Sequence, residues 1–118
     1  MKNVNGIGGV FFRSRDPDAL SAWYQTHLGV AAGGNAVFQQ DAGPTVFAPF
    51  RENSDYFASE KQWMINFRVA DLDALIASLT AAGIAVDTRP EWDDPAYGRF
   101  ARIHDPEANP IELWQPPA

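Results

Sequence analysis

The sequence contains no cysteine and no apolar run near the roughly 18 residues that a membrane-spanning helix requires. Without cysteine, disulfides and thiolate metal sites are excluded, and we expect a cytoplasmic protein. Lys2 is not followed by the apolar stretch and cleavage site of a secretory signal, so we do not expect one. The net charge is −6 and no basic stripe or basic amphipathic helix is present, so we expect neither nucleic acid nor a membrane as partner.

The composition that remains is typical of a globular protein. Hydrophobic residues make up 46% and charged residues 20% of the 118 residues, which suffices for one compact domain with its own core. We therefore expect a single domain over residues 1–118. The four tryptophans predict aromatic rings in a core, a pocket or an interface.

The chain contains an internal repeat. When "GVFFRSRDPDALSAWY" (9–24) is aligned with "MINFRVADLDALIASL" (64–79) at a constant offset of 55, seven positions are identical. They follow the ordered pattern F-R-x-x-D-x-D-A-L, which favours duplication over chance. We expect module one at about 1–52 and module two at about 61–118, with a polar linker between them.

Each copy predicts the same order of elements. A strand-like run comes first, followed by an N-capping aspartate (Asp16 or Asp71), apolar residues at helical spacing, and a glycine (Gly29 or Gly83) that ends the helix. Shorter strand-like runs separated by turn residues come next. The expected strands cover residues 9–14, 30–34, 36–40 and 45–50 in module one, and 63–69, 84–88, 99–104 and 110–114 in module two.

Two βαβββ modules with the segments "DPDALSAWYQTHLGV", "FRVADLDALIASLTAAGI" and "YGRFARIHDPEANPIELWQP" resemble the vicinal oxygen chelate superfamily, also called the glyoxalase/bleomycin resistance/extradiol dioxygenase family. The resemblance implies an α+β fold in which two tandem modules form a curled mixed sheet around a central cavity, often completed in a homodimer. Family members often carry glycine at the position of Ala108. A left-handed backbone would cost alanine about 1 kcal/mol, so we expect Asn109 to adopt it instead.

The resemblance also implies where a metal would bind in metal-dependent members, which take one ligand from the first and last strand of each module. Aligned on the repeat, these positions are Gly9, Phe47, Met64 and Glu112. Only Glu112 offers a donor for a hard or borderline cation, whereas such sites usually take three or more protein ligands. We therefore expect no metal and no other cofactor.

Strand alternation predicts which other side chains share the cavity with these positions. The expected lining is an aromatic, apolar cup with a few polar groups, as in many small-molecule sites. It consists of Phe11, Arg13, Phe47, Met64, Asn66, Arg68, Glu112 and Trp114.

Arginine and glutamate in such a cup each have more than one interpretation. The resemblance places Arg13 where glyoxalase-like enzymes bind the carboxylate end of a substrate, and Arg68 is its counterpart in the repeat. Both could instead pair with nearby acids such as Asp16 and Asp71. Glu112 could accept a hydrogen bond from a ligand, act as a general acid or base, or pair with Arg13.

We therefore expect a protein that binds a small organic anion in its cavity without a metal, similar to the bleomycin-resistance branch. The alternative is a glyoxalase-like lyase or isomerase that uses Glu112 as acid or base, so enzymatic activity stays open. A metal-dependent glyoxalase or dioxygenase is disfavoured, and a structural module without a ligand is a further alternative. The loops at 51–62 and 92–98 carry no pattern that identifies the ligand.

Overall fold

The computed structural model describes residues 3–118 and confirms an α+β protein with a mixed sheet. The elements are listed in chain order: α1 (Pro17–Leu28), β1 (Ile65–Arg68), α2 (Leu72–Ala81), a short 3-10 helix (Pro90–Trp92), β2 (Arg99–His104) and β3 (Pro110–Gln115). Strand β3 lies in the middle of the three-stranded sheet, parallel to β1 and antiparallel to β2.

Both helices begin and end where the repeat predicts. Asp16 accepts a 3.1 Å hydrogen bond from the Ala19 amide, and Asp71 accepts one of 3.0 Å from the Ala74 amide. Such caps satisfy amide donors that have no partner within the helix. Gly29 and Gly83 follow the helices with φ angles of 67° and 80°, a left-handed conformation that glycine adopts without steric cost.

One face of the sheet packs against the helices and forms the core. The fully buried side chains on this face come from β2 and β3, namely Ala101, Ile103, Ile111 and Leu113. They join Leu72 and Leu79 of α2 and Leu20 and Tyr24 of α1 in one cluster. Burial of each Leu or Ile contributes about 1.5–3 kcal/mol, so this cluster is the main source of stability.

Helix α1 is held to the turn that connects β2 and β3. The Tyr24 hydroxyl donates a 2.7 Å hydrogen bond to the buried Asp105 carboxylate, and the Ser14 hydroxyl donates one of 2.6 Å to Glu107. In the same turn Ala108 has a φ angle of 63°. The expectation that Asn109 would take the left-handed position is therefore wrong. Asn109 instead directs its amide and side chain to Asp105.

The tandem βαβββ organisation is not confirmed, because within residues 3–118 all three strands lie after the linker. Of residues 84–88, only Asp87 pairs with the sheet, through a bridge to Arg102. Within residues 3–118, the expected strands of module one pair with no other strand, and most of their large apolar side chains are exposed, although Val30 packs against the core. The large hydrophobic residues exposed in the described part of this first half are Val4, Ile7, Val10, Phe11, Phe12, Val37, Phe38, Val46, Phe47 and Phe50.

Candidate functional site

A polar row crosses the sheet on the face opposite the core. Asn66 of β1 and Arg102 of β2 are both register partners of Glu112 on the central strand β3. Residues opposite one another in adjacent strands direct their side chains to the same face. An amide, a carboxylate and a guanidinium therefore lie side by side.

Glu112 is held by two donors rather than by a cation. The Tyr56 hydroxyl donates a 2.5 Å hydrogen bond to Glu112 Oε2, and Asn66 Nδ2 donates one of 2.8 Å to Oε1. Burial and, next, the hydrogen bond to Glu112 together raise the pKa of Tyr56 to about 12, while the Arg102 charge opposes the change. The contact thus joins a neutral phenol and a half-buried carboxylate.

Arg102 is the most buried charged group of the row, with only 8% of its surface exposed. Its guanidinium carbon lies 4.8 Å from the centre of the Tyr56 ring and 5.8 Å from that of Trp92. The negative faces of the rings partly compensate the buried charge. Among residues 3–118, however, neither Nε nor Nη2 has a hydrogen-bond partner.

An aromatic pair lies one row further along the same face. The rings of Phe100 and Trp114 are parallel within 4°, with their centres 6.3 Å apart, and Trp114 Nε1 donates a 2.7 Å bond to the Tyr97 carbonyl. Arg68 is the register partner of Trp114 and donates a 2.9 Å bond to the Asp41 carbonyl. The face therefore presents flat apolar surface next to the polar row.

The predicted site residues fall into two groups. Asn66, Arg68, Glu112 and Trp114 share this face, and the half-buried Met64 immediately precedes β1. Phe11, Arg13 and Phe47 lie in the first half of the chain, outside any strand, and are exposed. Within residues 3–118, Arg13 forms no ion pair with Glu112.

Four residues of the site were not predicted, namely Tyr56, Trp92, Phe100 and Arg102. The position of Arg102 could have been predicted from the sequence, because pairing the predicted strands 99–104 and 110–114 across their turn places Arg102 opposite Glu112. Tyr56 and Trp92 lie in the two loops, where no periodicity indicates the direction of a side chain. Residues 52–59 and Arg102 line an open depression of about 520 Å³ beside the row.

The donor set does not fit the metal centre that the resemblance implies for metal-dependent members. In the part of the chain that the structure describes, no three His, Cys, Asp or Glu side chains lie close enough to hold a metal ion. The oxygens of Glu112 are engaged by Tyr56 and Asn66.

These observations define a small α+β protein with one core-facing and one polar, aromatic sheet face. Residues 9–114 match the family model described as "Glyoxalase-like domain", so the chain belongs to this family, within the vicinal oxygen chelate superfamily. No helix formed by residues 3–118 is long and apolar enough to cross a membrane.

Solved structures show the same fold. TnmS3, an antibiotic binding protein from Streptomyces sp. CB03234, is 22% identical with a TM-score of 0.62, over 98% of this chain and 99% of its own. A glyoxylase/bleomycin resistance protein/dioxygenase domain from Frankia sp. EAN1pec is 21% identical with a TM-score of 0.57, over 97% of this chain and 99% of its own. A search of curated proteins found no match.

Proposed function

We propose that this chain binds a small organic anion on the sheet face centred on Glu112, without a metal or other cofactor. The observation that carries the proposal is the polar row of Asn66, Glu112 and Arg102 beside the stacked rings of Phe100 and Trp114. Flat apolar surface with a few convergent polar groups is the usual composition of a small-molecule site.

The charges on this face favour an anion. Arg68 and Arg102 both lie on it, and neither forms an ion pair within residues 3–118. Guanidinium groups bind carboxylates and phosphates through paired hydrogen bonds. The fold likeness to TnmS3, an antibiotic binding protein, supports binding of a small molecule but does not identify it.

We also propose how the two modules and a second copy of the chain complete the site. A cytoplasmic homodimer supplies the neighbours that module one lacks, so that its segments pair as strands and two βαβββ modules of one domain, residues 1–118, enclose a cavity. Support comes from the repeat, since residues 9–14 correspond to β1 and its flanks, and from the exposed Phe11 and Phe47. Phe11, Arg13, Phe47 and Met64 would then reach the cavity.

A thermal-shift screen tests the proposed function. Small organic acids and their uncharged amides are compared on the full chain and on Trp114→Leu, with Trp63→Leu as a control because Trp63 is exposed. An acid at about 100 times its Kd stabilises the fold by about 2.7 kcal/mol. Shifts that are absent for every acid, or equal in Trp114→Leu, contradict the proposal.

A second candidate is a glyoxalase-like lyase or isomerase. It is favoured by the contact between Tyr56 and Glu112, which places a carboxylate base beside a phenol. Glu112 would take a proton from the substrate and return it to a neighbouring atom. Turnover of ketoacids, hemithioacetals or epoxides that disappears in Glu112→Gln supports this candidate, and full activity in that variant excludes Glu112 as the base.

A further inference from the structure

We infer that Arg102 is the group that binds the oxyanion of the ligand, and that the ligand is an aromatic acid whose ring takes the place of Tyr56. This inference rests on the proposed function, since it assigns the anchoring residue and the ligand class at the same face.

The hydrogen bonds of the neighbouring arginines single out Arg102. Arg99 donates to Asp73 at 2.8 Å, Arg89 to Asp87 at 3.4 Å, and Arg68 to the Asp41 carbonyl at 2.9 Å. Arg102 is more buried than any of these, yet its Nε and Nη2 have no partner within residues 3–118. Buried donors are normally satisfied, so these two nitrogens form an edge suited to the two oxygens of a carboxylate or phosphate.

The position of Arg102 connects this edge to the rest of the face. It is the register partner of Glu112 and lines the depression formed by residues 52–59. Tyr56 contacts both residues, through its ring over the guanidinium and its hydroxyl on Glu112. An acid bound to Arg102 therefore extends toward Glu112.

Tyr56 is the ring that a ligand displaces. It lies outside all helices and strands, whereas Trp92 belongs to the 3-10 helix and also contacts Arg89. A ligand ring that replaces Tyr56 over the guanidinium preserves the cation–π contact while its acidic group satisfies the free nitrogens. An aryl carboxylate or aryl phosphate combines both features.

Titrations of the full chain with benzoate, phenyl phosphate and benzamide test the inference by calorimetry and by the ¹⁵N–¹H signal of Arg102 Nε. We expect benzamide to bind about tenfold more weakly than the preferred anion, because it lacks the charge. A preference for benzoate indicates a carboxylic acid and a preference for phenyl phosphate indicates a phosphate ester. Both support the inference.

Variants separate anchoring from a structural role. Arg102→Met should weaken binding of the preferred anion about tenfold or more, and Arg102→Lys should weaken it less because it keeps the charge but loses the planar fork. Arg89→Gln is the matched control, since Arg89 also lies over Trp92 but is exposed, and it should stay within about twofold. If Arg102→Met does not fold, the Nε signal of the unsubstituted chain decides.

Several results would overturn the inference: equal affinity for benzamide, wild-type affinity in both Arg102 variants, or an Nε signal that no anion shifts. If the anions still shift the amides of Glu112 and Trp114, the inference fails while the proposed function stands. If no probe shifts any signal on this face, both fail.

Discussion

The hydroxyl of Tyr56 and the carboxylate of Glu112, which are 56 residues apart in the chain, share a 2.5 Å hydrogen bond on the face opposite the core. This contact ties the loop before β1 to the central strand of the sheet. The aromatic ring of the same tyrosine covers Arg102. Tyr56 therefore connects the anionic and the cationic member of the polar row.

The first prediction concerns the alkaline titration of Tyr56. The folded-state pKa is raised to about 12 from an ordinary value of 10.0, so the folded state retains its proton longer than the unfolded chain. The contribution of Tyr56 to the free energy of unfolding is fully present below about pH 10 and is lost as the pH rises through about 12. Absorbance at the phenolate band should show an ionisation near pH 12 that is missing in Tyr56→Phe. An unchanged titration in that variant contradicts the assignment.

The second prediction concerns the contact that holds α1 to the turn after β2. Tyr24→Phe removes the hydroxyl bonded to the buried Asp105, and a hydrogen bond to a charged group contributes about 1.5–3 kcal/mol. Urea unfolding should show a loss of that size. The matched control is Tyr97→Phe, which should change stability by less than about 0.5 kcal/mol because Tyr97 is exposed. Equal effects of the two changes would show that the Asp105 contact contributes little.

The third prediction concerns the strained alanine in the same turn. Ala108 has a φ angle of 63°, which costs a residue with a Cβ atom about 1 kcal/mol or more. Ala108→Gly should therefore raise the free energy of unfolding by about 1 kcal/mol. Ala85→Gly, at a position without positive φ, should not stabilise. Destabilisation by Ala108→Gly contradicts the backbone conformation described for this turn.

The fourth prediction concerns the proposed homodimer. Phe11 and Phe47 are 94% and 79% exposed, and exposed apolar segments of this kind mark interaction surfaces. Light scattering should give twice the mass of one chain. A double change, Phe11→Ser with Phe47→Ser, should lower that mass toward one chain, whereas the exposed Tyr97→Ser should not. A monomer at all concentrations tested would exclude the dimer.

The sequence was most informative where a pattern is local. Asp16, Asp71, Gly29 and Gly83 mark helix ends through their own backbone chemistry, and all four were predicted correctly. Alternation in β1 and β3 likewise predicted which residues share a face, because side chains in a strand point to the two sides in turn.

The sequence was least informative where position depends on distant partners. Tyr56 reaches Glu112 only because residues 52–59 fold over the sheet, and nothing local to a polar loop encodes that path. The segments of module one likewise could not be placed from the sequence alone. Their strand-like pattern predicts pairing, but a strand also needs a neighbour, and within residues 3–118 they have none.

The most direct test of the account is a crystal structure of the full chain grown with benzoate. We expect density for the ring and its carboxylate on the face that bears Glu112 and Trp114, with at least one carboxylate oxygen within hydrogen-bond distance of an arginine on that face. Benzoate bound only elsewhere, with this face unchanged, would contradict the central claim that the face binds a small organic anion.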